Sequence, residues 1–402
     1  MSIYFHIDVN SAFLSWSALE QLENGSDIDL RNIPSIVGGD TSTRHGIVLA
    51  KSIPAKAYGI QTAEPVVNAV RKCPNLTMVP PNHTMYQKRS QALMHYLMTI
   101  CPDIEQVSID ECFMDYTPIS DKYPSPEAAA AIIKDSVLER FGFTVNVGIS
   151  DRKVLAKMAS DFKKPNLVHT LYSHEIETKL WPLPVSALFL CGHSSQETLR
   201  KLGIVTIGDL AHCNPDILQA HLKSHGITLW EYANGIDNST IIPEPVKMKG
   251  IGNSTTLTQD AVTREEAYRT LLLLAESVGR RVRASHELAG MVSTEIKYAS
   301  FKSVSHQTTL DQPSASTDVI YQTACKLFDE LWDGNPIRLL GIRTSKLIAE
   351  TEPQQLSLFD YQAISPKSEK QQKLDSALDS LRNKYGKDII KRGSLLDSPK
   401  DN

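Results

Sequence analysis

The chain has 402 residues, a formal net charge of -4 and an apolar share of 41%, which describes a folded globular protein of about two to four domains. Its six cysteines are scattered, with no CxxC pair and no Cys/His spacing suited to zinc, so reduced and mostly buried thiols are expected. Nothing at the start resembles a signal peptide and no apolar run is long enough to cross a bilayer, so a cytosolic protein is expected.

In chain order, the apolar run Ile3 to Ile7 reads as a buried central strand that ends at Asp8. Ser11 to Leu22 has helical spacing, with Phe13, Trp16 and Leu19 to Leu22 as candidate buried positions. Ser35 to Val37 and Gly46 to Ala50 are strand-like, a helix is expected near Pro65 to Lys72, and Leu76 to Pro80 reads as a strand returning to the main sheet. Tyr86 to Ile100 is an amphipathic helix with Leu93, Tyr96, Leu97 and Ile100 inward.

The stretch Val107 to Asp115, VSIDECFMD, then sets Asp110 and Glu111 side by side. Neighbouring strand residues point to opposite faces, so both acids reach one site only at a turn or bulge, and Ser108 to Glu111 is read as a hairpin tip. By itself an Asp-Glu pair is an ordinary solvated turn. With Asp8 from the first strand, however, three converging carboxylates would repel unless a divalent cation lay between them, as in two-metal phosphoryl transfer.

Ser125 and Pro126 give an N-cap and first-turn proline, Ala128 to Phe141 a helix, Gly142 its stop and Thr144 to Ile149 another strand. Strand, helix, hairpin, helix, strand is the ferredoxin-like order. Lys153 to Asp161 is read as a further helix.

Four stretches resemble one family in order and content: DVNSAF from Asp8, SIDE at Ser108 to Glu111, LAKMASDFKKPN from Leu155 to Asn166, and LGIVTIGDLA from Leu202 to Ala211. The chain resembles Y-family translesion DNA polymerases over roughly Ile3 to Phe359. Asn10 and Ala55-Lys56 make it look closer to the UmuC branch than to DinB, where Asp and Ala-Arg are usual. The resemblance implies an α+β multidomain right hand. Its parts would be a ferredoxin-like palm at 1–10 and 74–166, small fingers at 11–73, a helix-hairpin-helix thumb at 167–235, a linker at 236–246 and an α/β little finger at 247–348. A tail would follow at 349–402.

The same resemblance assigns roles. Asp8, Asp110 and Glu111 would hold two Mg2+ ions, with Mn2+ a possible substitute, and the Val9 carbonyl would help. Phe13 would be the steric gate against ribonucleotides, although Ala12 stands where the family usually has a second aromatic. Lys157 matches the lysine that contacts the nucleotide's terminal phosphates, and Lys56 with Lys51 would touch the triphosphate. Ile53 and Lys56 replace a more usual Tyr and Arg, and lysine lacks the bidentate fork of arginine.

In the thumb, Gly192 and Gly203 would let backbone amides approach a DNA phosphate, while Leu190 replaces the first glycine of the usual hairpin. The little finger shows a helix at Arg264 to Ala284, another at Thr317 to Trp332, and strands at Met291 to Tyr298 and Ile337 to Leu347. Lys249, Ser254, Thr255, Thr256, Lys302, Arg338 and Arg343 are candidate phosphate contacts there. Gln355, Leu356, Leu358 and Phe359 in QLSLF resemble the bacterial sliding-clamp binding motif. Lys370 to Tyr385 has helical spacing with Leu374, Ala377, Leu378 and Leu381 on one face.

The expected protein is thus a monomeric, low-fidelity translesion polymerase that takes primer-template DNA, deoxynucleoside triphosphates and the sliding clamp as partners, with no membrane. Its negative charge does not exclude DNA, because local surfaces meet phosphate. Two rivals stand beside it: another two-metal palm enzyme, a cyclase or nuclease, and a catalytically weakened DNA- and clamp-binding factor.

Overall fold

The computed structural model describes residues 2–39, 46–244, 247–352, 366–386, 389–390 and 392–393. It divides into two compact units, the first ending at Val246 and the second beginning at Lys247.

The first unit is built on a five-stranded sheet. Its centre is β1 (Tyr4–Val9), whose odd-numbered side chains Phe5, Ile7 and Val9 are all buried in one core. The chain continues through α1 (Ala12–Glu23), β2 (Ser35–Gly38), β3 (Val48–Lys51), α2 (Ile53–Ala57), α3 (Val66–Lys72), β4 (Thr77–Val79) and α4 (His83–Ile100). The main sheet resumes with β5 (Ile104–Gln106) and β6 (Glu111–Asp115), then α5 (Pro126–Phe141), β7 (Val145–Ser150), α6 (Lys153–Ser160) and β8 (Val168–Thr170). The spatial order β5-β6-β1-β7-β8 contains the ferredoxin-like arrangement expected for β1, β5, β6 and β7.

Helix α5 starts and stops for reasons visible in its residues. Ser125 Oγ accepts from the Ala128 N–H at 3.1 Å, and Gly142 ends the helix at φ 72°, a conformation that costs glycine nothing. Together with α4 it closes one face of the sheet around Trp16, Tyr86, Leu93, Leu97, Ile133 and Val137. Each large side chain so buried contributes roughly 1.5–3 kcal/mol.

Two expected boundaries move. Strand β4 does not return to the main sheet; it pairs in parallel with β2 to make a separate three-stranded sheet, because Ile36 and Met78 are in register. Strand β8, assigned by sequence to the thumb, pairs in parallel with β7 and belongs to the main sheet. Beyond it, α7 (His193–Lys201), α8 (Ile207–His212), α9 (Pro215–Leu222) and α10 (Ser224–Ala233) enclose a second core with Leu180, Leu199, Leu210, Leu218 and Leu229.

The second unit has a four-stranded antiparallel sheet, β11-β10-β12-β9, formed by β9 (Gly250–Ala261), β10 (Glu287–Tyr298), β11 (Ser303–Ser314) and β12 (Ile337–Ala349). One face is covered by α11 (Arg264–Ala284) and α12 (Thr317–Leu331) around Leu271, Val278, Val292, Ile296, Phe328 and Leu340. Both outer strands, β9 and β11, escaped the sequence reading.

Helix α13 (Pro366–Tyr385) completes the described part of this unit. It does not bury the apolar face that its spacing suggested, since Leu374 is 50% and Leu381 40% exposed. Its inward contacts are ionic instead: Arg283 reaches Asp379 at 2.7 Å and Asp375 at 3.4 Å, and Arg382 reaches Glu276 at 3.1 Å. The residues expected to bind a sliding clamp, Gln355, Leu356, Leu358 and Phe359, lie outside the described residues.

Candidate active site

Strand pairing makes the site. Asp8 on β1 is in register with Glu111 on β6, and His6 with Phe113, so the four side chains share the face opposite the main core. Helix α6 covers that face by lying directly on Gly148 of β7, where a Cβ would stand 2.0 Å from the Ala156 carbonyl oxygen. Its far side, Val154, Leu155 and Met158, is buried in the second core, with Leu180 and Leu199. A helix held on two sides has little freedom to turn, and it sets Lys157 over the acids.

The Lys157 ammonium is 2.5 Å from Glu111 Oε2 and 3.8 Å from Asp8 Oδ2. A second lysine, Lys164, stands 2.8 Å from Asp8 Oδ1 and 2.9 Å from Asp161 Oδ1. His6 is fully buried beneath them. Its Nδ1 is 2.8 Å from Ser160 Oγ, and its Nε2 is 3.4 Å from Glu111 Oε2, a close approach without hydrogen-bond geometry.

This asymmetry separates the two acids. His6 and Lys157 hold Glu111 down to about 2, whereas burial pushes Asp8 up in spite of Lys164 and Lys157. Burial also lowers His6, keeping the imidazole neutral.

The expected meeting of three carboxylates is only partly formed. Asp8 and Glu111 are together, but the Asp110 carboxylate accepts from Ser108 Oγ at 2.6 Å, while its peptide carbonyl accepts from the Val9 N–H at 3.0 Å. Among the described residues no group of three or more His, Cys, Asp and Glu side chains is disposed to hold a metal. The physical reason is that acids this close need positive charge, and Lys157 and Lys164 supply it. The donor set, carboxylates and backbone carbonyls, is all oxygen and fits a hard divalent cation. Both lysines are on flexible stems that can release those oxygens.

Lys164 and His6 were missed by sequence reasoning. The signal for His6 was its period-two relation to Asp8 on one strand; Lys164 stood unremarked inside LAKMASDFKKPN. Neither was Asn10 foreseen as a brace: its Oδ1 accepts from the Asn166 N–H at 2.9 Å and its Nδ2 donates to Asn146 at 3.2 Å. Asn146 in turn donates to the Lys163 carbonyl at 2.7 Å, which fixes the turn carrying Lys164.

Phe13 is partly exposed, with its ring stacked on Tyr86 at 4.4 Å and 9°. Ala12 is 5% exposed and packs in the core of the main sheet. Lys51 donates to Thr62 at 3.4 Å, and its charge is disfavoured by partial burial and by nearby Lys56. Gly192 caps α7 and Gly203 turns at φ 80°. Leu190 adopts φ 65°, a left-handed conformation to which glycine is better suited, against a cost of roughly 1–2 kcal/mol.

In the second unit Arg343 is exposed, opposite Gly252, on the sheet face turned away from the helices. Thr255 is opposite the buried Leu340 and therefore lies on the helix side, apart from Arg343. Arg338 stacks its guanidinium over Phe301 at 4.8 Å, and Lys249 is exposed.

Comparison with known proteins agrees in sequence and in shape. Residues 7–161 match the model of the impB/mucB/samB family, and residues 248–358 match the C-terminal domain of that family. DNA polymerase IV of Clostridium acetobutylicum is 47% identical over 98% of this chain and 98% of its own. DNA polymerase IV of Alkaliphilus oremlandii is 36% identical over 98% and 99%, and DNA polymerase IV 1 of Bacillus subtilis is 35% identical over 98% and 93%. A Y-family DNA polymerase chimera of known structure superposes with a TM-score of 0.75 at 21% identity, over 86% of this chain and 99% of the other. These relatives do not separate the two branches, but DNA polymerase IV is the DinB type, so they lend no support to the UmuC placement suggested by Asn10 and Ala55-Lys56.

Proposed function

Because this chain belongs to the impB/mucB/samB family of Y-family DNA polymerases, we propose that Asp8, Asp110 and Glu111 are the residues with which it transfers nucleotides. The enzyme is a DNA-directed DNA polymerase of translesion type, acts on DNA and deoxynucleotides, and is divalent-metal dependent. The cyclase, nuclease and non-catalytic readings are not favoured.

The observation that carries the assignment is the register pair Asp8–Glu111 beneath Lys157. Both acids, with Asp110 and the Val9 carbonyl, would hold two Mg2+ ions, for which Mn2+ could substitute. When bound, such ions make the primer 3'-oxygen more nucleophilic and neutralise charge on the leaving pyrophosphate. Lys157 and Lys164 exchange carboxylate for triphosphate oxygens, with Lys51 and Lys56 supporting the phosphates from the fingers. Phe13 fills the space beneath the sugar and excludes a 2'-hydroxyl.

Primer-template DNA is held by Gly192 and Gly203 in the thumb and by Lys249, Arg338 and Arg343 in the little finger. The protein works as a cytoplasmic monomer and docks on a sliding clamp through Gln355, Leu356, Leu358 and Phe359. Primer extension with Asp110→Ala tests the site: incorporation is expected to be lost while DNA binding persists, and unimpaired synthesis would refute the assignment. Loss of clamp binding on Phe359→Ala checks the docking motif.

A further inference from the structure

We propose that the segment from Asp237 to Ile242 is a strap that positions the active-site lysine, with Asp237 as its positioning residue. The inference rests on the reading of Lys157 as a phosphate contact.

By sequence this segment is a linker without periodicity. In the structure it is fastened to the palm beside α6 at four points. Asp237 Oδ2 accepts from the Val154 N–H at 2.9 Å, satisfying one of the donors that the first turn of a helix leaves open. No side chain of Arg152, the residue preceding α6, caps the helix, so this carboxylate, more than 80 residues further along the chain, takes that role and adds a negative charge where the helix dipole favours one.

The other points hold the strap flat. The Thr240 carbonyl accepts from Lys153 Nζ at 3.1 Å, and the same ammonium is 2.6 Å from Glu105 Oε2. Glu105 Oε2 also accepts from the Ile242 N–H at 2.9 Å. Between them Ile241 packs on Tyr4, Phe113 and Ala156. Lys153 is only 7% exposed, so its charge is committed to these partners rather than to solvent.

Two routes lead from the strap to the acids. Through α6, the Asp237 bond fixes the first turn, and Lys157 follows one turn later on the same helix. Across the sheet, Ile241 packs against the cluster that includes Phe113, the Phe113 ring lies edge-on to His6 at 4.8 Å, and His6 adjoins Glu111. Displacing the strap lets the ammonium drift from where the triphosphate must be met, and small misplacements of a positioned group are costly.

The test is a double-mutant cycle on the full chain, measuring kcat and KM for single-nucleotide incorporation on undamaged primer-template DNA. Asp237→Ala is expected to raise the KM for the deoxynucleotide about fivefold, the factor that one lost capping bond represents, with DNA affinity unchanged. Asp237→Asn keeps an acceptor oxygen and is expected to restore most of the loss. In a Lys157→Ala background, Asp237→Ala should add nothing, because the strap acts through that lysine.

Independent, multiplying effects of the two substitutions overturn the proposal, as does an Asp237→Asn variant as impaired as Asp237→Ala. If Lys157→Ala alone is silent, the reading of Lys157 fails and takes the proposal with it; a strong Lys157→Ala effect with an independent Asp237 effect removes the strap alone. Should Asp237→Ala not fold, Ile241→Ala replaces it in the same cycle, with the same non-additivity expected and additivity again the refuting result.

Discussion

Gly148 and Ala156 meet backbone to backbone: a Cβ on the glycine would lie 2.0 Å from the alanine carbonyl oxygen and 2.4 Å from the Ser160 nitrogen. No flexible side chain can yield at that contact, so the absence of a Cβ at Gly148 sets how near α6 comes to the sheet. Gly148→Ala is expected to push α6 outward, cost about 1–3 kcal/mol or more in urea unfolding, and lower incorporation in the folded fraction by displacing Lys157. A variant of wild-type stability and rate would show that the helix does not depend on this approach.

Phe13 lies flat on Tyr86, which is itself anchored by a 2.7 Å hydrogen bond between its hydroxyl and Ser17. Such a ring cannot tilt away from a bulkier sugar without losing its stacking. Phe13→Ala is therefore expected to raise ribonucleotide incorporation relative to deoxynucleotide by at least about tenfold, read as the ratio of kcat/KM values. Unchanged sugar discrimination would remove Phe13 from the gate.

Charge in the site gives a pH dependence of stability. Glu111 is held at about 2 against an ordinary value of 4.5, so its ion contacts stabilise the folded form above about pH 4.5 and are lost as pH falls through about 2. Asp8 acts in the opposite sense, since burial raises it and its contribution fades as pH rises through the elevated value. In metal-free buffer the stability gap between the wild type and Glu111→Gln is expected to be widest above about pH 5 and to shrink steadily below it. A gap that stays constant to about pH 3 would mean that Glu111 is not held by charge.

How much of this was legible in the sequence depends on whether a residue's partner is local. Asp8 and Glu111 were readable because each adjoins an apolar strand, and strand pairing brought them into register. Helix α5 announced itself through Ser125, Pro126 and Gly142, all neighbours in the chain. Strands β9 and β11 did not, because they form the two edges of their sheet and are polar for much of their length, leaving no period-two signal. The Asp110 hydrogen bond to Ser108, the bracing of Lys164 through Asn146, and the strap at Asp237 are side-chain choices among several polar partners, which neither composition nor periodicity specifies.

The C-terminal helix is the sharpest case of that difference. Periodicity places Leu374, Ala377, Leu378 and Leu381 on one face, of which Leu374 and Leu381 are exposed, while Asp375 is 2% exposed and the Arg283 side chain is 18% exposed. Arg283 donates to Asp379 at 2.7 Å and to the Ala315 carbonyl at 2.7 Å, and Asp375 accepts from the Thr317 N–H at 3.0 Å. Removing the arginine leaves buried Asp375 with the Thr317 N–H and a more distant Arg392 at 3.7 Å, and breaking a buried pair from one side costs up to about 3–5 kcal/mol. Arg283→Ala is therefore expected to release α13 from α11, seen as loss of amide protection along Pro366–Tyr385 in hydrogen exchange. Leu381→Ser, on the open side, should change stability by no more than about 0.5 kcal/mol. The reverse ranking, a tolerated Arg283→Ala and a damaging Leu381→Ser, would mean that the helix is held by its leucines after all.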